Sequence, residues 1–137
     1  MHPEYLALVD QSLKARKRSY SPYSRFKVGA SLLAGSGKIY TGANIESASY
    51  SLTLCAERVV FAKAISDGEK LFKAIAVSVS TNELVYPCGA CRQFMFEFAK
   101  DLDIIVVKSS SEYVLTKLRD LLPEAFERKS ITLSKKK

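Results

Sequence analysis

Three cysteines and a single histidine place the tightest constraint on this 137-residue sequence. One cysteine opens the run Cys55-Ala56-Glu57-Arg58, and the other two lie in Pro87-Cys88-Gly89-Ala90-Cys91-Arg92-Gln93. An odd count in so short a chain argues against a disulfide framework and leaves metal binding, catalysis or inert burial. Apolar periodicity puts both runs at the start of a helix, the first predicted from about Cys55 to Ser66 and the second from about Gly89 to Ala99. Free backbone N–H groups and the helix dipole at such ends favour negative charge, so thiols there ionise readily and make good metal ligands. A C-x-x-C pair, a distant third cysteine and a glutamate two residues after it form the pattern of a three-thiolate zinc site.

The ligand inventory bears on what such a site does. A structural zinc is usually closed by four protein ligands, whereas this chain offers Cys55, Cys88, Cys91 and, beside a terminus of the kind that frays, His2. An open fourth position takes water, whose pKa zinc lowers towards neutrality, and Glu57 stands ready to carry protons. Two other readings compete: inert buried cysteines with Glu57 as a first-turn acid, and a closed structural site completed by His2.

The surrounding pattern is α/β. Pro3 begins a helix with Leu6, Val9 and Leu13 on one face, running to about Arg18 and ended by Ser21-Pro22. Strands from Phe26 to Ala34 and from Lys38 to Ile45 flank Gly35-Ser36-Gly37, a hairpin loop. Beyond the first cysteine helix, stopped by Asp67-Gly68, a strand spans Phe72 to Ser80. After the second come strands from Asp103 to Val107 and from Glu112 to Val114, then a helix from Leu115 to Leu122 stopped at Pro123. The order αββαβαββα predicts a mixed sheet of about five strands covered by helices. On the second cysteine helix, Cys91, Phe94, Met95 and Phe98 share a face, so Phe96 is expected to seek another surface, such as a subunit interface.

No linker or repeat divides the chain, which reads as one domain over residues 1–126 with a basic tail over 127–137. A hydrophobic content of 47% suffices for one core, yet no apolar run approaches the roughly 18 residues of a membrane span. Neither end carries a targeting signal, so the expected location is cytoplasmic, with no membrane partner. The net charge of +7 raises nucleic acid as a partner. Its distribution argues otherwise: residues 31–99, which hold the motifs, carry six basic and six acidic side chains, and the excess lies towards the two ends.

At its cysteine motifs the chain resembles the zinc-dependent cytidine deaminases, in particular the small homotetrameric type with cysteine in place of histidine as the first ligand. Three further segments resemble that family: Tyr20-Ser21-Pro22-Tyr23-Ser24-Arg25-Phe26-Lys27-Val28-Gly29-Ala30, Gly42-Ala43-Asn44-Ile45-Glu46 and Leu121-Leu122-Pro123-Glu124-Ala125-Phe126. The resemblance implies a three-layer α/β/α fold and one Zn²⁺ per subunit on Cys55, Cys88 and Cys91. It makes Glu57 the proton shuttle, assigns Asn44 and Glu46 to the ribose hydroxyls, and sets Phe26 and Ala56 against the nucleoside. It further implies that Tyr50 and Phe126 serve active sites shared between subunits of a homotetramer, with Phe126 stacking on a neighbour's base. Arg58 would offset the negative charge of a zinc bearing three thiolates. The implied activity is hydrolytic deamination of free cytidine and deoxycytidine in pyrimidine salvage, with no nucleic-acid partner. Ser47 and Ala43 depart from the family pattern, where asparagine and a non-ligand cysteine are common, and leave room for altered substrate preference.

Overall fold

The computed structural model describes residues 1–129 and residue 131. Pro3 stands at the first position of α1 (Pro3–Ala15), where its missing N–H costs nothing, and His2 caps the helix by accepting the Glu4 amide at Nδ1 (3.2 Å). A 3-10 turn (Arg16–Arg18) prolongs α1 before the chain enters the hairpin of β1 (Val28–Ala34) and β2 (Ile39–Ala43), whose loop uses Gly37 at φ +94°. A second 3-10 turn (Tyr50–Leu52) precedes α2 (Ala56–Ser66). Strand β3 (Phe72–Val79) pairs antiparallel with β1, and α3 (Gly89–Phe98) carries the chain over to β4 (Asp103–Val107), parallel to β3. Then β5 (Tyr113–Lys117) returns antiparallel and leads into α4 (Leu118–Leu121). Among the described residues the sheet order is β2-β1-β3-β4-β5.

Strand alternation sorts the core into two halves. Ala30, Leu32, Ile75, Val77, Ile104 and Val106 face α2 and α3, which contribute Val60, Phe61, Cys91 and Met95. The interleaved Leu33, Ala74, Ala76, Ile105 and Val107 face Leu8 and Val9 of α1. Helices on both sides of a mixed sheet give the expected three-layer α/β/α arrangement, and they explain the consecutive apolar residues Ala74 to Val77 in β3 and Ile104 to Val107 in β4. No described helix is long and apolar enough to cross a membrane.

Polar contacts also bind α1 to the sheet. Ser31 Oγ donates to the Leu8 carbonyl (2.6 Å) and Ser78 Oγ to that of Ser12 (2.8 Å). The helix comes so near β1 that a Cβ on Gly29 would lie 2.2 Å from the Ser12 carbonyl oxygen and 2.4 Å from the Arg16 amide nitrogen. Both obstacles are backbone atoms, which cannot swing aside. Gly29→Ala is therefore expected to destabilise the fold by about 1–3 kcal/mol or more, read as a lower urea midpoint; an unchanged midpoint contradicts this close packing.

Two local expectations are corrected. Leu115, Thr116 and Lys117 belong to β5 rather than to the final helix, because they pair with Ile105, Ile104 and Asp103 of β4, and Lys117 Nζ reaches Asp103 Oδ1 at 2.9 Å. A ladder to a buried neighbour outweighs the weak local helical pattern. Phe96 is buried, 4% exposed, within its own chain, with the Arg119 guanidinium 5.9 Å from its ring centre. The exposed aromatic on α3 is Phe98, and Phe94 is half-buried.

Candidate active site

Cys55 and Cys88 are the N-cap residues of α2 and α3, and neither helix has a side-chain cap bond, so both thiols are left for other partners. Cys91 follows in the first turn of α3 and is fully buried. The three Sγ atoms lie within 4.8 Å of one another. Tetrahedral zinc with Zn–S bonds of about 2.3 Å needs sulfurs roughly 3.8 Å apart, a small contraction from this arrangement. The cluster contains no histidine, and His2 caps α1, which packs on the other side of the sheet. A site closed by His2 is thereby set aside.

The electrostatics fit a metal. A hydrogen bond from Cys91, reinforced by the Arg58 guanidinium, lowers the Cys55 thiol to about 5, while its bond to Cys55 and burial raise Cys91. Arg58 Nη2 lies 3.5 Å from Cys55 Sγ and 3.4 Å from the Thr53 carbonyl oxygen, and its Nε is buried with no hydrogen-bond partner. A guanidinium placed so needs negative charge beside it. Thiolates gathered on a zinc ion meet that need.

Glu57 sits in the first turn of α2, only 5% exposed, and burial raises its carboxyl to about 7. It lines a cavity of about 270 Å³ with Cys55, Ala56 and Cys88. The same cavity reaches Phe26, Asn44 and Glu46, so seven of the residues singled out from the sequence share one space. Its walls add Val28, Val77, Val79, Val85 and Tyr86, which the sequence reading did not single out. Period-two alternation would have found Val77 and Val79, since they pair with Ala30 and Val28 on β1. Val85 and Tyr86 come from a loop without periodicity and carry no such signal.

Two residues stand apart. Tyr50 is 75% exposed and lines an adjoining groove with Tyr23, Ser24, Glu46 and Thr53. Phe126 is 60% exposed and borders a separate hollow beside Phe96 and Arg119.

Asn44 and Glu46 are held by contacts remote in sequence. Asn44 Oδ1 accepts from Ser19 Oγ and from the Val28 amide (3.0 Å), and Nδ2 donates to the Phe26 carbonyl (2.8 Å). Glu46 accepts from the Tyr23 and Ser24 amides (3.0 and 3.1 Å) and from Ser24 Oγ, and the Ser24 hydroxyl holds its carboxyl below the usual range.

Three thiols gathered within reach of one metal ion, a buried carboxyl and an apolar cavity beside them are the parts that a zinc-dependent hydrolase site requires. The family model for the cytidine and deoxycytidylate deaminase zinc-binding region matches residues 3–108, and the chain belongs to that family. It is 46% identical over 126 residues to a cytidine deaminase of Sporosarcina psychrophila, covering 91% of this chain and 93% of the relative. A cytidine deaminase of Halalkalibacterium halodurans is 45% identical over 120 residues, covering 87% and 91%. The crystal structure of a cytidine deaminase from Burkholderia pseudomallei superposes with a TM-score of 0.85 at 42% identity, covering 92% of this chain and 100% of that one.

Proposed function

We propose that this chain deaminates free cytidine and deoxycytidine hydrolytically to uridine and deoxyuridine, releasing ammonia. The setting is pyrimidine salvage in the cytoplasm, and the catalytic unit is residues 1–126, with 127–137 as a basic tail. Within that tail, Lys135 to Lys137 lie outside the described residues. The observation that carries the reading is the cavity that joins Cys55, Cys88 and Glu57 to Phe26, Asn44 and Glu46, with Cys91 buried behind it within 4.8 Å of the other two sulfurs.

Cys55, Cys88 and Cys91 hold the zinc, which when bound supplies a Lewis acid that makes water nucleophilic near neutral pH. Glu57 takes a proton from the attacking water and delivers it to N3 of cytosine, which makes C4 more electrophilic. A second transfer through the same carboxylate brings a proton to the exocyclic N4, which leaves as ammonia. The burial that raises Glu57 to about 7 suits a group that must both take and give protons at neutral pH.

Substrate placement follows from the hydrogen bonds already made. With Asn44 Oδ1 accepting two and Nδ2 donating one, a second Nδ2 proton is left for a ribose hydroxyl oxygen. Glu46 accepts three bonds and keeps lone-pair capacity for a hydroxyl proton. Asn44 thus donates and Glu46 accepts, a pairing that two adjacent ribose hydroxyls, or the one 3′-hydroxyl that deoxycytidine keeps, can satisfy. Phe26 and Ala56 flank the nucleoside. The exposed rings of Tyr50, in a groove that shares Glu46 and Thr53 with the cavity, and of Phe126 are free to meet a neighbouring subunit, as a homotetramer with shared sites requires. The exposed Tyr20, Ile45, Leu52 and Leu54 near Tyr50 support it too.

Arg58 balances the charge of the thiolate cluster. Arg58→Gln is expected to weaken zinc retention about tenfold or more, measured as metal content after dialysis against a chelator; unchanged metal content and an unchanged rate reject this role.

A panel of cytidine, deoxycytidine, their monophosphates and single-stranded DNA and RNA, monitored for ammonia, tests the substrate class. The free nucleosides should react and the polynucleotides should not, with little dependence of cytidine turnover on salt. Activity confined to polynucleotides, falling steeply with salt, overturns the reading.

A further inference from the structure

We propose that Arg92 is the positioning residue of the metal loop, its guanidinium holding the Pro87 carbonyl next to Cys88 and tying it to the C-terminal segment. The proposal rests on reading Cys55, Cys88 and Cys91 as zinc ligands, and it concerns what fixes their geometry.

Cys91 is locked inside α3 and the core, but Cys88 is exposed and reached through a stretch, residues 81–88, that has no regular hydrogen-bonded structure. Its position therefore depends on what holds the Pro87-Cys88 backbone. The Arg92 side chain does this: its Nε donates to the Pro87 carbonyl (2.6 Å), beside the ordinary helical bond from the residue 92 amide to the Cys88 carbonyl (3.0 Å), which any side chain there would leave in place. The same guanidinium continues to the Leu121 carbonyl through Nη1 (2.9 Å), at the end of α4. Gln93 Nε2 donates to the Phe126 carbonyl (2.9 Å), a second link to that segment that touches nothing in the metal loop.

Arg92 differs in kind from Arg58. Arg58 approaches a sulfur, whereas both side-chain bonds of Arg92 go to main-chain carbonyls, so its contribution is geometry rather than charge beside the thiols. A planar guanidinium can bond two carbonyls in fixed directions at once, and a lysine ammonium cannot reproduce that fork.

Cobalt(II) bound in place of zinc gives thiolate-to-metal absorption bands that report ligand geometry, and metal loss to a chelator reports how firmly the site is held. Arg92→Lys and Arg92→Ala are both expected to shift these bands and to release metal about 10- to 100-fold faster. Gln93→Ala should keep the parent spectrum. The proposal is overturned if Arg92→Lys behaves as the parent, if both Arg92 variants do, or if Gln93→Ala perturbs the bands as much. Circular dichroism verifies folding, and Arg92→Lys decides the matter if the alanine variant does not fold. Absence of thiolate bands from the unmodified protein overturns instead the assignment of the cysteines as ligands.

Discussion

Replacing Glu57 by alanine is expected to give a folded protein that keeps its zinc and loses cytidine turnover by about 10²- to 10⁴-fold or more. The expectation follows from how few proton carriers the cavity holds. Its other ionisable lining groups are Glu46, Cys55, Cys88 and Tyr86. Glu46 is engaged by Tyr23 and Ser24 and stays ionised, and the two cysteines belong to the thiol trio that would hold the zinc. A phenol is too weak an acid to replace a carboxyl pushed up to about 7. Folding should survive, because the variant removes a carboxyl that burial disfavours in its charged form and puts a strong helix former in the first turn of α2. The informative outcome is full zinc content with a collapsed kcat. Substantial turnover in a zinc-loaded variant contradicts the assignment of Glu57.

Loss of one thiolate should be as severe by a different route. Cys88→Ser is the cleanest choice, since Cys88 is exposed and leaves the hydrophobic core untouched, whereas Cys91 is part of it. Two sulfurs remain, too few for a zinc that takes three protein ligands and one open position. Zinc content should fall well below one per chain, and turnover should drop by about 10²-fold or more. Chelation of the unaltered protein should act the same way and be reversed by added zinc, while the circular dichroism stays that of a folded chain. That last point follows from the two core halves, which are complete without the metal. A chelated protein that unfolds would instead assign the zinc a structural role.

Much of the site was legible because its chemistry coincides with helix starts. The periodicity that begins α2 and α3 also sets Cys55 and Cys88 at their N-caps, so residue type and local structure pointed the same way. The order of elements along the chain and the count of five strands followed from alternation and loop glycines, whereas the order of the strands within the sheet did not. What failed depended on tertiary partners that a local window does not show. Leu115 to Lys117 form a strand only because β4 stands beside them, and Phe96 is buried because α4 and Arg119 fold over it. Asn44 and Glu46 were visible as a pair at a strand end, but their anchoring to Ser19, Phe26, Val28, Tyr23 and Ser24 was not, since the chain must fold before those groups meet. The link from Arg92 to Leu121 was hidden likewise, as nothing in a motif shows which carbonyl an arginine will find.

The central claim is that the three cysteines and Glu57 form one hydrolytic zinc site. The most direct test measures zinc and product on a single preparation incubated with cytidine. About one zinc per chain is expected, with uridine and ammonia appearing in equal amounts and both lost together on chelation. Bound zinc without ammonia release, or ammonia release that persists once the zinc is removed, contradicts it.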